Sequence, residues 1–483
     1  MTSPAIVWFR HDLRVADNPA LRIAHDRGGA VIPVFIWAPQ EEGDWPPGGA
    51  SRYWLHQSLA SLGEELNKAG SRLILRSGNS FEELEKLIRQ TGAGAIYWNR
   101  RYEPAVIQRD ADIKRKLRDR GLIAESFNGN LLFEPPTTLN KQGGPFKVFT
   151  PFWRHCRKLG EPSTPLPASR SLKAPSKWPA AGKLKDLQLE PAIDWPAGIR
   201  EHWTFGATGA RRALREFLRE GIEDYPVQRD YPGITGVSRL SPRLHFGELS
   251  PRQIWHAVRE HEIELGRMSE TRHAEAYLRQ LVWREFGHHL LYHFPHTPNK
   301  PMNPDYEHFP WQWGTKSLQR WQQGKTGYPL VDAGMRELWH TGYLHNRVRM
   351  VVASFLVKDL LVHWLEGARW FWNTLVDADL ANNTLGWQWA AGCGADAAPY
   401  FRIFNPIRQA ERFDPNGIYV RYWIPELAQL SNKSLLAPWQ ADAAELRQAG
   451  VVLGETYPEP IVDHQLARQK ALAALETIKK ART

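Results

Sequence analysis

Hydrophobic patterning switches once along this chain, and the switch dictates two architectures in one polypeptide. Up to Asn128, short apolar or β-branched runs (Ala5 to Phe9, Ala30 to Trp37, Arg72 to Arg76, Ala95 to Asn99, Ile123 to Asn128) alternate with helix-length segments (Pro19 to Asp26, Ser51 to Ala69, Ser80 to Thr91, Ala105 to Arg120). That alternation predicts a parallel sheet, because parallel neighbours need the crossover that a helix supplies. A ligand of such a sheet sits beyond the carboxyl ends of its strands. Neither GxGxxG nor a Walker A sequence is present, so no dinucleotide or triphosphate site is expected there. After Trp203 the strand signal nearly vanishes. Ala207 to Glu220, Ser250 to Leu265, Thr271 to His293, Ser317 to Gln323, Val331 to His340, Asn346 to Leu365 and Arg369 to Val376 carry apolar residues at helical spacing, predicting an all-α second domain. Gln465 to Lys480 reads as a surface helix. Between the halves, prolines at 162, 165, 167, 175, 179, 191 and 196 rule out long helices and central strands, which leaves an extended connector. The expected units are 1–135 (α/β), 136–204 (connector) and 205–483 (all-α).

A chain of 483 residues exceeds what one core usually serves, in keeping with two domains. Lys plus Arg exceeds Asp plus Glu by 10, a balance that favours a polyanionic partner. Two cysteines, Cys156 and Cys393, give no disulfide framework and fit a reducing compartment. No signal peptide and no apolar run of membrane-spanning length is read, so a cytosolic protein without a membrane partner is expected. The 22 tryptophans are more than packing ordinarily asks for.

The densest stretch is DADLANNTLGWQWAAGCGADAAPYFRIFNP, Asp377 to Pro406. Its Gly and Ala residues leave little side-chain bulk, so a flat group can approach the backbone. Asp377, Asp379 and Asn383 offer a heteroaromatic edge both donors and acceptors, and Trp387 and Trp389 add broad polarizable faces. A tryptophan-rich core helix with a glycine break is the plain alternative for a shorter match.

This stretch closely resembles the flavin-binding core of the photolyase/cryptochrome family. Three more blocks agree and fall in the same order: VWFRHDLRVADNPAL (Val7 to Leu21), GVSRLSPRLHFGELSPRQ (Gly236 to Gln253) and TGYPLVDAGMRELWHTGYLHNRVRMVVASFLVKDLL (Thr326 to Leu361). Within the family the pattern is most similar to bacterial members that split cyclobutane pyrimidine dimers in DNA. The resemblance implies a Rossmann-like antenna domain followed by an all-α FAD-binding domain. It also implies FAD, active as FADH⁻, an antenna site that holds methenyltetrahydrofolate, a deazaflavin or nothing, a monomer in the bacterial cytoplasm associated with the nucleoid, and UV-damaged DNA as partner.

The resemblance carries residue roles onto matching positions. Tyr225, Tyr277 and the loop Val237, Ser238, Arg239, Leu240 and Ser241 correspond to contacts with the FAD ribityl-diphosphate. The loop's backbone N–H groups suit a pyrophosphate, although Val237 stands where many members carry Thr. Arg349 and Asp377 correspond to a buried charge pair beside the ring, with Asp379 nearby, and Asn383 to the residue facing flavin N5. Trp387, Trp364 and Trp311 match a three-member electron-transfer chain; Trp313 and Trp321 are bystanders or alternates. Trp283 and Trp389 match the wedge around a flipped dimer, which leaves the stack cheaply because the lesion is already poorly stacked. Asn346 and Met350, on one helical face, stand where (6-4) photoproduct repair enzymes carry two histidines. Arg229, Arg347, Arg402 and Gln409 match DNA contacts. No residue is assigned to a metal.

One position departs from the pattern. Gln280, three residues before Trp283, replaces the glutamate of dimer-splitting members, and an amide donates a hydrogen bond but no proton. The expected function is light-driven dimer repair with Gln280, Asn346, Met350, Trp283 and Trp389 around the lesion. The alternative is a cryptochrome-type blue-light photoreceptor.

Overall fold

The computed structural model of the chain describes residues 2–267, 271–397 and 401–480. Five strands, β1 (Ala5–Phe9), β2 (Val31–Trp37), β3 (Ile74–Ser77), β4 (Ala95–Asn99) and β5 (Ile123–Phe127), form one sheet in the order β3-β2-β1-β4-β5. All pairings are parallel, with Ala5 in register with both Val31 and Ala95. Alternation of side chains gives the sheet two buried faces. Val7, Phe9, Val31 and Phe35 pack with the helices Pro19–Asp26 and Gly49–Lys68, whereas Ile6, Trp8, Ile32, Val34 and Ile96 pack with the helices Ser80–Thr91 and Pro104–Arg118. Four of the five strands lie within about a residue of expectation; β3 begins two residues later than its apolar run.

The expected connector is largely free of regular structure from Gly160 to Lys183, then forms a short helix, Ala197–His202. It also contains the helix Phe149–Lys158, whose Phe149 ring stacks on Trp283 at 3.6 Å. From Gly206 on, among the described residues, only helices and isolated bridges occur. The two halves meet along the helix Gly49–Lys68. There Trp54 and Ser58 donate to the Glu248 carboxylate (3.0 and 2.7 Å), which Arg243 neutralises at 2.8 Å. Both charges of that pair are buried. A buried ion pair is tolerable when further hydrogen bonds surround it; here the Glu248 oxygens also accept from Trp54, Ser58 and the Gly206 N–H, which ties together the elements that carry them.

One expectation in the second half is corrected. Asn346 to Leu365 is not one helix: an α-helix, Asn346–Ser354, passes into a π-turn, Phe355–Asp359, and the chain breaks at Leu361 with φ +53° before restarting at Trp364–Thr374. Buried polar groups drive the break: the Lys358 ammonium donates to the Ala391 carbonyl at 2.6 Å, and Gln312 N–H takes the Leu361 carbonyl at 2.8 Å. The last helix, His464–Lys480, lies on the surface as expected, with Ala467, Ala471, Ala474 and Ile478 buried along its inner side.

Candidate functional site

The helix Leu380–Ala391 organises the site. Asp379 caps it by accepting from Asn382 N–H at 2.9 Å, and Gly392 (φ +91°) ends it in the left-handed region. Its outer face presents Asn382, Asn383, Gly386 and Trp389 to a cavity of about 530 Å³. Small-molecule sites usually have roughly 300–1,000 Å³, so the size suits a tricyclic ring and its surroundings. The opposite wall is built by Gln280 and Trp283 on the helix Arg272–His293 and by Asn346, Arg349 and Met350 on the helix Asn346–Ser354. Arg229, Asp396 and Arg402 complete the lining.

Arg349 and Asp377 form the expected pair, 2.8 and 3.0 Å apart through one guanidinium nitrogen. Burial alone would lower the Arg349 pKa; the Asp377 carboxylate outweighs that and holds it above its ordinary value. The Ser241 hydroxyl donates to the same carboxylate at 2.6 Å, joining the 237–241 loop to the pocket edge. The Asn383 amide nitrogen donates to the Ala368 carbonyl at 3.1 Å. A carbonyl only accepts, so the nitrogen must face Ala368 and the amide oxygen is the group left over as an acceptor. A side chain at Gly386 would meet nothing within 4 Å, which leaves the wall open beside Asn383.

The loop before the short helix Ser241–His245 is shaped for an anion. Arg239 (φ +50°) followed by Leu240 (φ −91°, ψ −3°) is a left–right pair of the kind that turns successive N–H groups inward. Backbone N–H groups from Val237 to Ser241 donate to no other described protein atom. The Tyr277 hydroxyl donates to Ser238 at 3.1 Å, and the Tyr225 ring meets Tyr277 edge-on at 5.2 Å, walling the loop.

On the opposite side Trp389 carries the Arg402 guanidinium 5.2 Å above its ring. Asn346 and Met350 lie side by side, amide nitrogen to sulfur 4.0 Å. Gln280 is engaged: its oxygen accepts from Arg229 at 3.2 Å and its nitrogen donates to the Ala276 carbonyl at 3.3 Å. Burial pushes the Asp396 carboxyl above its usual range.

Trp387 and Trp364 are both buried, and neither indole N–H meets a described acceptor. A side chain at Gly367 would collide with the Trp387 ring, so that indole lies on the first turns of the helix that Trp364 begins. His363 sits between Trp364 (5.6 Å) and Trp311 (5.5 Å), and stacks on exposed Trp313 at 4.0 Å. Trp321 is fully buried 6.2 Å from Trp387.

Several expected residues lie apart from the cavity. Asp379 turns to His288 (3.3 Å) and His245 (3.9 Å). Burial would raise its pKa, but those imidazoles hold it well below the carboxylate range. Arg347 pairs with Asp230 at 2.7 Å and lies over Phe413, while the buried Gln409 oxygen has no partner among the described residues. Asn382, Phe371 and Leu385 line the cavity without having been singled out. Asn382 and Leu385 were readable from their helical spacing to Trp389, whereas Phe371 comes from a different helix. Residues 398–400 of the densest sequence stretch lie outside the described residues.

Residues 277–477 match the family profile described as the FAD binding domain of DNA photolyase, and residues 5–171 match the DNA photolyase profile. A deoxyribodipyrimidine photo-lyase of Agrobacterium fabrum is 48% identical, covering 99% of both chains. The chain belongs to the photolyase/cryptochrome family. Cryptochrome-2 of Arabidopsis thaliana is 39% identical over the whole chain and 80% of its own length. The crystal structure of a class III photolyase from Agrobacterium tumefaciens superposes with a TM-score of 0.95 at 48% identity, covering 99% of this chain and 98% of that one. The all-α half is therefore a photolyase-type FAD-binding domain, and FAD is the cofactor that the pocket, pair and anion loop fit.

Proposed function

We propose that this chain is a deoxyribodipyrimidine photo-lyase, a carbon–carbon lyase that uses light to split cyclobutane pyrimidine dimers in UV-damaged DNA. The observation that carries the reading is the joining, in one cavity, of the Arg349–Asp377–Asn383 edge with Trp283, Trp389, Asn346 and Met350. When bound and reduced, FAD supplies an electron donor that light activates. The chain's residues do the rest. Val237 to Ser241 present N–H groups to the diphosphate, and Arg349 with Asp377 holds the ring's polar edge. Trp283 and Trp389 offer flat apolar walls to an extruded dimer, and Asn346 supplies an amide for its carbonyls. Arg229 and Arg402 at the lining, with Arg347 and Gln409 beyond it, are assigned to DNA. Trp387, Trp364 and Trp311 are assigned to carry an electron inward from the surface, with His363 packed between the last two.

An antenna, folate or deazaflavin, is assigned to a separate cavity. The crevice beyond β1 and β2 keeps only about 30 Å³, because Arg10 pairs with Asp110 and Arg101 with Glu42 across it. A cavity of about 520 Å³ at the junction of the halves, walled by Trp37, Trp45 and Trp372 with Arg52 and Arg369, has room for a flat heterocycle with an acidic tail. The protein is taken to work as a monomer in the cytoplasm.

The test illuminates reduced protein with an oligonucleotide containing one thymine dimer and counts restored thymines. Restoration only in light establishes the lyase. Bound but unrepaired dimer transfers the chain to the second reading, a blue-light photoreceptor, which the occupied Gln280 amide favours.

A further inference from the structure

Outside the flavin cavity, three side chains converge without being used by anything described so far. Helix Ala197–His202 closes the connector, and its last two residues are Glu201 and His202. His340 stands next to last in the helix Pro329–Thr341 of the all-α half. The two helices are held against each other by buried groups: the Trp203 indole donates to the Thr341 carbonyl at 2.8 Å, and Gly198 sits so close to the His340 carbonyl that any side chain there would collide. The imidazoles are thereby set edge to face, 5.2 Å between ring centres and 84° between planes. One ligand-capable atom from each of Glu201, His202 and His340 lies within 4.8 Å of the others.

The neutral tautomer of His202 is set by its neighbour. Its Nδ1 lies 2.8 Å from the Gly198 carbonyl, which can only accept, so in the neutral ring the hydrogen sits on Nδ1 and Nε2 has the lone pair. Metal-bound histidines are oriented in this way, by a carbonyl or carboxylate on the other ring nitrogen. Glu201 and His340 form no hydrogen bond or ion pair with other described residues beyond the ring contacts, and neighbouring Arg200 is taken up by Asp194 at 2.8 Å. We propose that Glu201, His202 and His340 bind one divalent transition-metal ion, Zn²⁺, which clips the end of the connector to the helical domain.

Two imidazoles and a carboxylate are a donor set for Zn²⁺ and its borderline neighbours, and oxygen-seeking Mg²⁺ and Ca²⁺ gain nothing from the nitrogens. Bonds of about 2.0–2.2 Å require the three atoms to draw together, and exposed Glu201 is free to rotate inward. The fourth position is left to water. None of the three residues lines a described cavity, so the ion's role is structural rather than catalytic. The site is independent of the lyase reading.

Untagged full-length protein, stripped with chelator, is titrated at pH 7.5 with ZnCl₂ in a calorimeter and with CoCl₂ in the visible range. One Zn²⁺ per chain is expected, with the intense visible bands of four-coordinate Co²⁺ and a Zn²⁺-dependent rise in melting temperature. His202→Ala and His340→Ala each abolish all three signals, and exposed His308→Ala keeps them. Glu201→Gln, which leaves both helices intact, weakens binding and guards against loss of signal through misfolding. Acid weakens binding, because protons compete with the ion for its ligands. Absence of saturable Zn²⁺ binding in the parent protein overturns the proposal. So does binding that survives in both histidine variants, which places the ion elsewhere.

Discussion

Replacing Asp377 by Asn tests the polar edge of the pocket without changing its shape. The Asp377 side chain is 4% exposed and accepts from Arg349 and Ser241, whereas the Arg349 side chain is 25% exposed and, among the described residues, otherwise donates only to the Leu344 carbonyl. Asparagine keeps one oxygen for Arg349 and turns its nitrogen to the Ser241 hydroxyl, so the contacts survive and the charge is lost. Breaking a fully buried ion pair costs about 3–5 kcal/mol. One retained neutral hydrogen bond and the partial exposure of Arg349 reduce this to about 2–3 kcal/mol. Urea unfolding of the flavin-free protein should therefore show a lower midpoint at unchanged slope. Flavin retention, measured by fluorescence of released FAD on dilution, should fall at least ~10-fold, equivalent to 1.4 kcal/mol at the ring's edge. Asp379→Ser is the control. It preserves the helix cap and removes only the charge facing His288, so flavin affinity should stay within about twofold. Wild-type flavin affinity in Asp377→Asn, or an equal loss in Asp379→Ser, would refute the placement of the two carboxylates on opposite sides of the helix start.

Affinity for dimer-containing DNA should fall steeply with salt, and Arg229→Ala or Arg402→Ala should each reduce the log–log slope by about one. Asp230→Asn should raise affinity by releasing Arg347 from its 2.7 Å pair; an unchanged Kd removes Arg347 from the interface. Trp364→Phe should slow photoreduction of oxidised flavin severely while leaving repair by pre-reduced protein unchanged, as transient absorption and single-turnover repair would show. Burial pushes the His345 imidazole down to about 4, and its neutral Nδ1 caps the helix Asn346–Ser354 by accepting from Arg347 N–H. Its folded pKa lies below the unfolded value, so its contribution is complete above about pH 6.5 and is lost as pH falls toward 4. That loss approaches about 3 kcal/mol and should be missing from His345→Asn, so that it appears as the difference between wild type and variant on acidification.

The sheet was legible because its inner strands β1, β2 and β4 are buried on both faces and therefore read as continuous apolar runs between polar helices. Most helices were legible for the same reason, one apolar stripe apiece. The break at Leu361 was not. VRMVVASFLVKDLL keeps helical spacing throughout, and what stops the helix is distant: the Ala391 carbonyl claims Lys358, and residue 312 claims the Leu361 carbonyl. The break sets the direction of the helix that Trp364 starts. The cavity was partly legible. Residues on one helix, such as Asn383 and Trp389, follow from spacing, but the seating of Arg229 on Gln280 joins loop and helix 51 residues apart in sequence.

Asp377 and Asp379 show most clearly where a sequence stops informing. In an extended segment, residues i and i+2 point the same way, so grouping both carboxylates at one ligand edge was the natural inference. The helix start breaks that equivalence. Asp379 is the cap residue, and its side chain must fold back to meet the free N–H of Asn382, which carries it toward His245 and His288. Asp377 lies before the cap and is left to the cavity, where Arg349 and Ser241 hold it. Two identical side chains thus serve two sites, one closing the helix against the interface with the first domain and one presenting charge to the cofactor pocket. Only the position of the first helical turn decides between them.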